Sequence, residues 1–508
     1  MIKTIVQLLE QRAATHSDHV AFREVKRDIT YHEIWKETQA MASALAMYQK
    51  RNEPVVIYLD KGIACLSSMF AVMASGNFYT VLDVAMPSER IQSIFDTLEP
   101  FVLLTDEKGA RKAGELGFTK DILIYEELKQ KEINEEVLRK IDRTMIDTDP
   151  AYALFTSGST GVPKGTIVSH RSVLSYAAWV CETFGIDEHT VFGNQTPFYF
   201  SMSVLDIYAT LYSGATLCIL PKMYFSFPAK LIQYLNEVQV NTIYWVPSAL
   251  CIVANLKTLD AVLPQYLEKV LFAGEVMPMK QLNIWRSHLP NLLYANLYGP
   301  TEVTDICTYY VVNREFSDEE SLPIGVPCNN CDVFLLKEDA TRAADDEEGE
   351  LCVRGSFLAN GYYNNPQKSA EVFTQNPLQP HYHEMIYHTG DLARYNEYGE
   401  LMYISRKDHQ IKHMGYRIEL GEIEHAFLNM EGMISAACIY DDKKQEIVCF
   451  YQSTKLTASD LSERAKQKLP RYMWPAVILQ VKKIPHNANG KIDRVQLKKQ
   501  YMEEKEHE

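Results

Sequence analysis

Apolar and polar positions alternate along the first four hundred residues in a pattern that predicts strands followed by helices. Residues 55–59 form a short apolar run, and Pro87 then opens an amphipathic segment that leads to a second apolar run at residues 101–104. The apolar stripe of the amphipathic segment consists of Ile91, Ile94, Phe95 and Leu98. Apolar strands separated by amphipathic helices are typical of parallel sheets with crossover helices.

The same order recurs near the middle of the chain, where Pro228 starts a predicted helix and Thr242 begins the strand-like sequence TIYWV. We therefore predict an α/β fold with helices packed on both sides of parallel-rich sheets. In such folds, ligands bind in loops beyond the carboxyl ends of the strands. These loops are where the candidate functional residues are expected.

The character of the sequence changes near residue 405, where a polar and charged segment interrupts the alternation. The remaining residues, about 100 in number, are typical of a small α+β domain with helix, strand, turn and strand. We predict a large N-terminal domain over residues 1–405 and a small C-terminal domain over residues 408–508. The polar tail from residue 498 is expected to fray.

Composition is that of an ordinary folded protein, since 23% of the 508 residues are charged and 46% are hydrophobic. The net charge of −15 argues against nucleic acid or an anionic membrane surface as a general partner. Polar residues interrupt both the N-terminal segment and the apolar stretch at residues 63–81, so neither is suited to insert into a bilayer. We predict a cytoplasmic protein with reduced cysteines, including Cys328 and Cys331 of the Cys-x-x-Cys sequence.

The strongest local signal is the segment TSGSTGVPKG at residues 156–165, which follows an apolar run. Its backbone N–H groups, hydroxyls and lysine can surround phosphate oxygens. Lys164 follows a proline and precedes a glycine, whereas the lysine of a P-loop follows a glycine and precedes Ser or Thr. The segment therefore predicts a phosphate-binding loop that is not a P-loop.

This segment resembles the nucleotide-phosphate loop of the adenylate-forming superfamily, which includes nonribosomal peptide adenylation domains, acyl-CoA synthetases and luciferases. Five further motifs of that family follow in the same order and extend the resemblance over nearly the whole chain. They are YGPTE at residues 298–302, YHTGD at 387–391, RKD at 406–408, GYRIE at 415–419 and NGKIDR at 489–494. The segments LFAGEVMP from Leu271 and SLPIGVPCNNC from Ser321 are similar to those of freestanding D-alanine:D-alanyl carrier protein ligases.

The resemblance implies a two-step activity. ATP with Mg²⁺ converts a small carboxylic acid to its acyl-adenylate and pyrophosphate, and the acyl group then passes to the phosphopantetheine thiol of a carrier protein supplied in trans. The implied nucleotide-binding residues are Thr156, Ser157, Gly158, Ser159, Thr160, Gly161, Lys164, Tyr298, Asp391 and Arg406. Thr301 is implied at the α-phosphate, and Glu302 is implied as the Mg²⁺ ligand, a role for which a carboxylate is well suited.

Two further roles are implied for the C-terminal part of the chain. Lys491 is implied as the catalytic lysine, which stabilises the negative charge that develops between the substrate carboxylate and the α-phosphate. Asp408 is implied as the hinge about which the small domain rotates between the two reaction steps. A separate metal site at His381, His383 and His388 is not expected, because no carboxylate or cysteine completes the set.

The implied substrate pocket departs from the family pattern at two positions. Amino-acid-activating members have Phe-Asp-x-Ser, whose aspartate pairs with the α-ammonium group, whereas the aspartate is replaced by Ser201 in this chain. D-Alanine ligases have a cysteine where this chain has Ala273. The positions implied to line the pocket are Ser201, Met202, Leu205, Trp245, Leu271, Ala273, Leu297, Asp305 and Ile306.

Ser201 cannot compensate a buried ammonium group as a carboxylate does, so the substrate stays open. Asp305 either supplies the missing charge from another wall, which suits a displaced amine such as that of a β-amino acid, or is only a polar loop residue. A hydroxy, keto, aryl or short aliphatic acid is equally compatible. Two alternative functions also stay open: an acyl-CoA synthetase, and a non-catalytic nucleotide-binding protein whose pocket has decayed at Ser201.

Overall fold

The structure is a computed structural model that describes residues 2–158, 162–407, 410–485 and 492–506. The chain forms two compact units, each built from segments that are separated in sequence. The first unit comprises Met1–Val84, Leu98–Leu154 and Gly165–Lys407, and the second comprises Ala85–Thr97, Phe155–Lys164 and Asp408–Glu508.

The strands are numbered along the chain. They are β1 (Val20–Glu24), β2 (Arg27–Thr30), β3 (Pro54–Tyr58), β4 (Phe78–Val81), β5 (Val102–Thr105), β6 (Asp121–Ile124), β7 (Pro150–Thr156), β8 (Lys164–Ser169), β9 (Val191–Asn194), β10 (Thr216–Ile219), β11 (Thr242–Trp245), β12 (Lys269–Phe272), β13 (Leu293–Tyr298), β14 (Thr308–Val311), β15 (Val326–Pro327), β16 (Cys331–Leu336), β17 (Gly349–Gly355), β18 (Gly361–Tyr362), β19 (Phe373–Gln375), β20 (Met385–Tyr395), β21 (Leu401–Arg406), β22 (Gln410–His413), β23 (Tyr416–Glu419), β24 (Met433–Asp441), β25 (Glu446–Ser453) and β26 (Val477–Gln480).

The α-helices are numbered in the same way. They are α1 (Ile5–Thr15), α2 (Tyr31–Ala46), α3 (Ile63–Ala74), α4 (Ser88–Leu98), α5 (Glu107–Glu115), α6 (Tyr125–Leu128), α7 (Glu135–Thr144), α8 (His170–Phe184), α9 (Ser203–Ser213), α10 (Pro228–Glu237), α11 (Pro247–Asn255), α12 (Thr258–Ala261), α13 (Met279–His288), α14 (Pro366–Val372), α15 (Leu420–Leu428), α16 (Ala458–Lys468) and α17 (Arg494–Glu506). Short 3₁₀ turns occupy Lys222–Ser226, Thr301–Val303 and Arg471–Met473.

Two large sheets dominate the first unit, and both are mostly parallel. The strand order is β15-β14-β13-β12-β11-β9-β10-β1-β2 in one sheet and β18-β8-β7-β4-β3-β5-β6 in the other. The strands β9 to β13 are all parallel to their neighbours within that group, and so are β3 to β7. This arrangement confirms the predicted α/β fold with parallel-rich sheets.

The individual elements predicted from the periodicity are confirmed as well. The apolar runs at residues 55–59 and 101–104 correspond to β3 and β5, and every residue of both strands is buried. Burial of all residues is expected for central parallel strands, because helices cover both faces of the sheet. Pro228 is the first residue of α10, and β11 begins at Thr242.

The region from residue 331 to residue 406 differs from the predicted alternation of strands and helices. It forms an antiparallel sheet in which β16, β17, β20 and β19 are consecutive neighbours and β21 pairs with β20. This sheet presents the YHTGD segment on β20 and Arg406 at the end of the adjacent strand β21. The sequence pattern did not reveal it, because antiparallel strands with one polar face alternate buried and exposed residues and lack the continuous apolar runs of the parallel strands.

In the second unit, the three strands β24, β25 and β26 form a sheet with a core on each face. Alternate residues of β24 point to opposite faces, so Cys438 belongs to one core and Ile439 to the other. Helices α15 and α16 contact one face, and α17 packs on the opposite one through Leu497 and Tyr501. The prediction that the tail frays from residue 498 is therefore wrong as far as Glu506, because apolar side chains hold this helix to the sheet.

The cysteines follow their predicted environment. All ten are free thiols and all except Cys251 are buried, which confirms that they are core residues rather than disulfide partners. Cys331 opens β16, so the Cys-x-x-Cys sequence ends at the start of a strand. In the described ranges of the chain, no helix has both the length and the apolar character needed to cross a membrane.

The turn that follows β13 requires a glycine. A Cβ atom at Gly299 would lie 2.5 Å from Cα of Ile306 and closer still to the carbonyl oxygen of Asp305. Both are backbone atoms of the segment that returns into β14, so neither can move aside without displacing that strand. The missing side chain lets the chain fold back on itself, and Cys307 N–H donates to the carbonyl of Tyr298 at 2.8 Å.

We expect the substitution Gly299→Ala to lower the free energy of unfolding by about 1–3 kcal/mol, the usual cost of forcing atoms into a filled space. Gly114→Ala is the matched control, because a Cβ atom at Gly114 in α5 meets nothing within 4 Å. The control should leave stability unchanged or raise it slightly, since alanine favours a helix over glycine. Chemical denaturation of both variants checks this, and equal stabilities would contradict the close-approach argument.

Candidate active site

The carboxyl ends of three neighbouring parallel strands carry predicted site residues. Trp245 is the last residue of β11, Ala273 directly follows β12, and Leu297 and Tyr298 close β13. All four side chains are buried. The sheet therefore places these residues at the edge where ligands bind in folds of this class.

Tyr298, Asp391 and Arg406 form one polar cluster in the first unit. The phenol of Tyr298 donates to Oδ2 of Asp391, and Nη1 of Arg406 donates to Oδ1 at 2.6 Å. β20 and β21 pair in a register that sets Asp391 directly opposite Arg406. Burial, followed by the nearby carboxylate, raises the pKa of Tyr298 well above its ordinary value, so its phenol stays a proton donor at neutral pH. The structure thus brings together three residues that the sequence assigns to the nucleotide.

A second strand-end contact fixes the turn before Asp391. Nη2 of Arg406 donates to the carbonyl of Thr389 at 3.0 Å, and the hydroxyl of Thr389 accepts from the N–H of Asp391 at 3.0 Å. Asp391 is only 3% exposed, so its carboxylate depends on these donors and on the guanidinium charge for compensation. The carboxylate is held in one orientation.

Thr301 and Glu302 lie in the 3₁₀ turn that follows Gly299. Glu302 is fully buried, and its Oε1 accepts a hydrogen bond from the phenol of Tyr362 at 2.6 Å. Thr304, at the end of the turn, has a φ of 70°, a backbone conformation that is unusual for a β-branched residue. Its hydroxyl donates to the carbonyl of Phe357 at 2.8 Å, which helps to hold the turn in this shape.

Ser201 lies beside Thr301, the residue implied at the α-phosphate. The Thr301 hydroxyl donates to Oγ of Ser201 at 3.2 Å. Met202 is the N-cap of α9, and Leu205 lies in its first turn. The other residues implied to line the pocket are also buried, each with at most 2% exposure: Leu271, Ala273, Leu297, Asp305 and Ile306.

Trp245 is also buried, but its surroundings are those of a core residue. Its indole N–H donates to the carbonyl of Gly193 at 2.8 Å, and its ring packs edge-on against Phe225. A role for Trp245 in the pocket stays a prediction.

A surface cavity of about 330 Å³ lies near the C-terminal ends of α8 and α9 and is lined by none of the predicted site residues.

Asp305 is held by hydroxyl groups alone in the described part of the chain. Its Oδ2 accepts from the phenols of Tyr176 at 2.9 Å and Tyr244 at 3.0 Å, and its side chain is also hydrogen-bonded to Ser201. Burial raises the pKa of Asp305 to about 8, even though the three hydroxyls favour the ionised form. Sequence analysis identified Asp305, but not the two tyrosines, which lie on α8 and β11 far from any motif.

In the second unit, the predicted phosphate loop contacts the GYRIE segment. Oγ of Ser157 donates to the carbonyl of Arg417 at 2.8 Å and accepts from the N–H of Glu419 at 3.2 Å. Lys164 is buried, with its Nζ 4.0 Å from Oε1 of Glu419. Gly158 is required here, because a Cβ atom would overlap the carbonyl oxygen of Val162.

One hydroxyl of this loop has no partner in the described part of the chain. Oγ1 of Thr156 is buried and makes no hydrogen bond to any described residue, which is costly for a hydroxyl unless another group completes it. The other predicted residues of the loop, Ser159, Thr160 and Gly161, lie outside the described residues. The same is true of Asp408 and Lys491, so the roles of all five stay predictions.

The structure adds Glu350, which sequence analysis missed, to the surroundings of the Asp391 turn. Oε1 of Glu350 accepts from the N–H of Gly390 at 3.0 Å, and Oε2 contacts Nδ1 of His388 at 2.9 Å and Nζ of Lys407 at 3.2 Å. Burial opposes ionisation of this carboxyl, but His388 and Lys407 outweigh it and hold the pKa of Glu350 below its ordinary value. No sequence motif marks Glu350, because its partners come from β20 and from the residue that follows β21.

The reason given against a metal at His388 is wrong. Glu350 and Cys352 on β17 bring a carboxylate and a thiol within reach of Nδ1, with Sγ of Cys352 at 3.5 Å. Sequence spacing could not show this, because a long connection separates β17 from its pairing partner β20 in the chain. Hydrogen bonds and the Lys407 ammonium group already satisfy Glu350, and burial raises the pKa of the Cys352 thiol, so the set is a hydrogen-bonded network that braces Gly390.

Comparisons with known proteins agree with this arrangement. A profile of the family described as AMP-binding enzyme matches residues 9–363. The chain is 32% identical over 482 residues to L-proline:L-prolyl-carrier protein ligase from Pseudomonas fluorescens, covering 92% of each protein. It is 31% identical over 497 residues to tyrocidine synthase 1 from Brevibacillus parabrevis, covering 97% of this chain but 44% of that protein. The chain thus spans less than half the length of some of the relatives it matches.

Solved structures share the fold. The adenylation domain AlmE from Vibrio cholerae, in complex with glycyl-adenosine-5′-phosphate, has a TM-score of 0.83 at 22% identity, with 98% of each chain covered. The family match covers most of the chain, the carrier protein ligase matches nearly end to end, and the fold agrees. The chain therefore belongs to the AMP-binding enzyme family.

We expect Glu350→Gln to raise the KM for ATP by about 3- to 10-fold, because it removes charge-assisted hydrogen bonds that fix the turn carrying Asp391. Glu384→Gln is the control. The exposure of the Glu384 side chain is similar to that of Glu350, and Glu384, which directly precedes β20, forms an ion pair with Arg354. Steady-state kinetics and ATP titration of both variants make the comparison. A KM that is equally raised in both would show that Glu350 has no specific part in positioning the turn.

Proposed function

We propose that this protein uses ATP to convert a small carboxylic acid to its acyl-adenylate, with release of pyrophosphate, and then transfers the acyl group to the phosphopantetheine thiol of a carrier protein. The observation that carries the proposal is the cluster of Tyr298, Asp391 and Arg406 beside the buried Thr301–Glu302 turn. A buried carboxylate with a guanidinium partner is suited to accept the two hydroxyls of a ribose. Thr301 is suited to a phosphate oxygen. Within the second unit the same is true of the Thr156 hydroxyl, which has no hydrogen-bond partner among the described residues.

The proposal includes a magnesium ion that accompanies ATP. Glu302 fits such an ion, because Mg²⁺ prefers oxygen ligands such as carboxylates and the Glu302 side chain is buried beside Thr301. Tyr362 would keep this carboxylate oriented through the 2.6 Å hydrogen bond to Oε1. When bound, Mg²⁺ supplies charge neutralisation to the phosphates.

We propose a carrier protein, rather than free CoA, as the acceptor of the acyl group. Its support is the similarity over 92% of each chain to a ligase named for its carrier protein substrate. A CoA synthetase from Bacillus subtilis shares the fold, with a TM-score of 0.84 at 20% identity, which makes free CoA the competing acceptor.

Asp408 is proposed as the hinge between the two steps. The ten free cysteines suit a reducing compartment, and we place the activity in the cytoplasm.

The decisive experiment measures ATP–pyrophosphate exchange over a broad panel of carboxylic acids. The proposal requires exchange that depends on the added acid. ATP binding without exchange for any acid would instead support a non-catalytic nucleotide-binding protein. With the best acid in hand, acyl transfer to a holo-carrier protein and to free CoA can be compared. Faster transfer to CoA would replace the carrier protein with CoA in the proposal.

We expect Lys491→Ala to lower the exchange rate by about 10²-fold or more, the scale on which loss of one preorganised charge contact acts on catalysis. ATP affinity should change far less. Lys483→Ala, at an exposed lysine earlier in the same part of the chain, is the control and should exchange normally. Exchange rate and ATP affinity are measured on the same preparations, and an unchanged rate in Lys491→Ala would remove this lysine from the mechanism.

A further inference from the structure

Asp305 is a buried carboxyl group that has hydroxyl partners and, in the described ranges, no cationic one. It is 2% exposed, and its partners are the phenols of Tyr176 and Tyr244 and the hydroxyl of Ser201. Within the described ranges, no lysine, arginine or histidine forms an ion pair with it. A buried carboxylate without a counter-ion is unfavourable, and neutral hydroxyls compensate it only in part.

The remaining groups around Asp305 make the region more acidic. The ionisable side chains that influence it or are influenced by it are Tyr152, Tyr176, Asp206, Tyr244 and Cys328. Asp206 on α9 is itself fully buried, and its Oδ1 has no hydrogen-bond partner among the described residues. The nearby Lys61 donates to Asn194 and Gln195, and Asn194 in turn donates to Oδ2 of Asp206 at 2.7 Å. The ammonium group of Lys61 therefore lies nearer to Asp206 than to Asp305 in this cluster.

Ser201 connects Asp305 to the predicted reaction centre. Its hydroxyl accepts from Thr301 at 3.2 Å, and it lies close enough to Asp305 to favour the ionised form of that carboxyl. The negative charge thus lies one side chain further from Thr301 than a carboxylate at position 201 would. A cationic group bound there would be separated from the reacting carboxylate by more than the single α-carbon of an ordinary amino acid.

We propose that the activated acid carries an amino group beyond its α-carbon, as in a β-amino acid, and that Asp305 binds this group as an ammonium ion. The inference rests on the proposed adenylation function and names its substrate class. Tyr176 and Tyr244 act as positioning residues: their phenols hold the carboxylate in place. The ammonium group supplies the charge that no described side chain provides.

Binding of an ammonium group at Asp305 should release a proton from this buried carboxyl. Because burial raises the pKa of Asp305 to about 8, the carboxyl is mainly protonated at pH 7 in the free protein. Binding of an ammonium group favours the carboxylate, so the carboxyl releases its proton to solvent. Below pH 8 the affinity for the aminated acid should fall by about tenfold per pH unit, because the ionised fraction falls at that rate. An acid without an amino group should release no proton at this site.

The first test compares matched acids in ATP–pyrophosphate exchange. The panel contains β-alanine and 3-aminobutyrate, the α-amino acids glycine, L-alanine, D-alanine and L-proline, and the unaminated acids propionate and 3-hydroxypropionate. We expect the two β-amino acids to give the highest kcat/KM. Asp305→Asn, which is isosteric, should lower kcat/KM for them by about 100-fold or more, as expected when a buried ion pair loses one charge. For propionate the same variant should change it less than about threefold.

Moving the charge gives a second, independent test. The double variant Ser201→Asp with Asp305→Asn keeps the net charge of the pocket and places the carboxylate nearer to Thr301. We expect its preference to shift from β-alanine to L- or D-alanine. Tyr244→Phe should weaken β-alanine binding without changing the order of preference, because it removes one donor and keeps the charge. An unchanged preference in the double variant would overturn the assignment of Asp305 to the amine.

Calorimetry in buffers of different ionisation enthalpy measures the released proton directly. With β-alanine and a non-hydrolysable ATP analogue at pH 7, about 0.9 proton should be released by the wild-type protein, as a pKa near 8 requires. Asp305→Asn should release none. Thermal unfolding of this variant confirms that it is folded.

The outcomes separate the inference from the function on which it rests. If an unaminated acid or an α-amino acid is the best substrate of the unmodified protein, adenylation stands and the role of Asp305 is overturned. If no acid supports exchange while ATP still binds, the proposed function itself fails. Equal loss of activity with all acids in Asp305→Asn would also overturn the inference, because it would show a structural role for Asp305 rather than amine recognition.

Discussion

The constraint on which this site depends is the cost of burying carboxylates. Three buried acids surround the carboxyl end of β13. Glu302 and Asp305 follow this strand in the chain, and Asp391 accepts a hydrogen bond from its last residue, Tyr298. Each is compensated differently. Asp391 has the guanidinium of Arg406, Glu302 accepts from the phenol of Tyr362, and among the described residues Asp305 has hydroxyls alone. Because a buried charge without a counter-ion is unfavourable, the proposed ammonium ligand would supply the charge that Asp305 lacks among those residues.

The backbone makes these burials possible. Gly299 lets the chain fold back directly after β13, so Thr301 and Glu302 lie in a tight 3₁₀ turn and Asp305 returns beneath it. Parallel strands deliver the apolar residues around this turn from their carboxyl ends, whereas the antiparallel pair β20 and β21 delivers Asp391 opposite Arg406. Two kinds of sheet therefore contribute to one site, with the parallel strands supplying buried walls and the antiparallel ones supplying a fixed polar pair.

The departure at Ser201 is understandable in the same terms. A serine there carries no charge, and it links Thr301 to Asp305 through hydrogen bonds. In the proposed substrate complex, the Asp305 carboxyl takes the place of the aspartate that Ser201 replaces and becomes negative when an ammonium group binds. Electrostatic complementarity would then select the substrate, because an ammonium group without a carboxylate partner has a desolvation cost that apolar contacts do not offset.

The sequence by itself determined the family, the α/β architecture and those buried strands that form apolar runs in the sequence, such as β3 and β5. It also identified Tyr298, Asp391, Arg406 and Asp305, because local motifs mark three of them and alignment marks the fourth. The tertiary structure alone decided the partners: Tyr176 and Tyr244 for Asp305, and Glu350 for the turn before Asp391. It also decided that residues 85–97 and 155–164 group with the later segment and that the polar tail forms a helix. These features depend on contacts between residues far apart in sequence, and local patterns of polarity carry no record of such contacts.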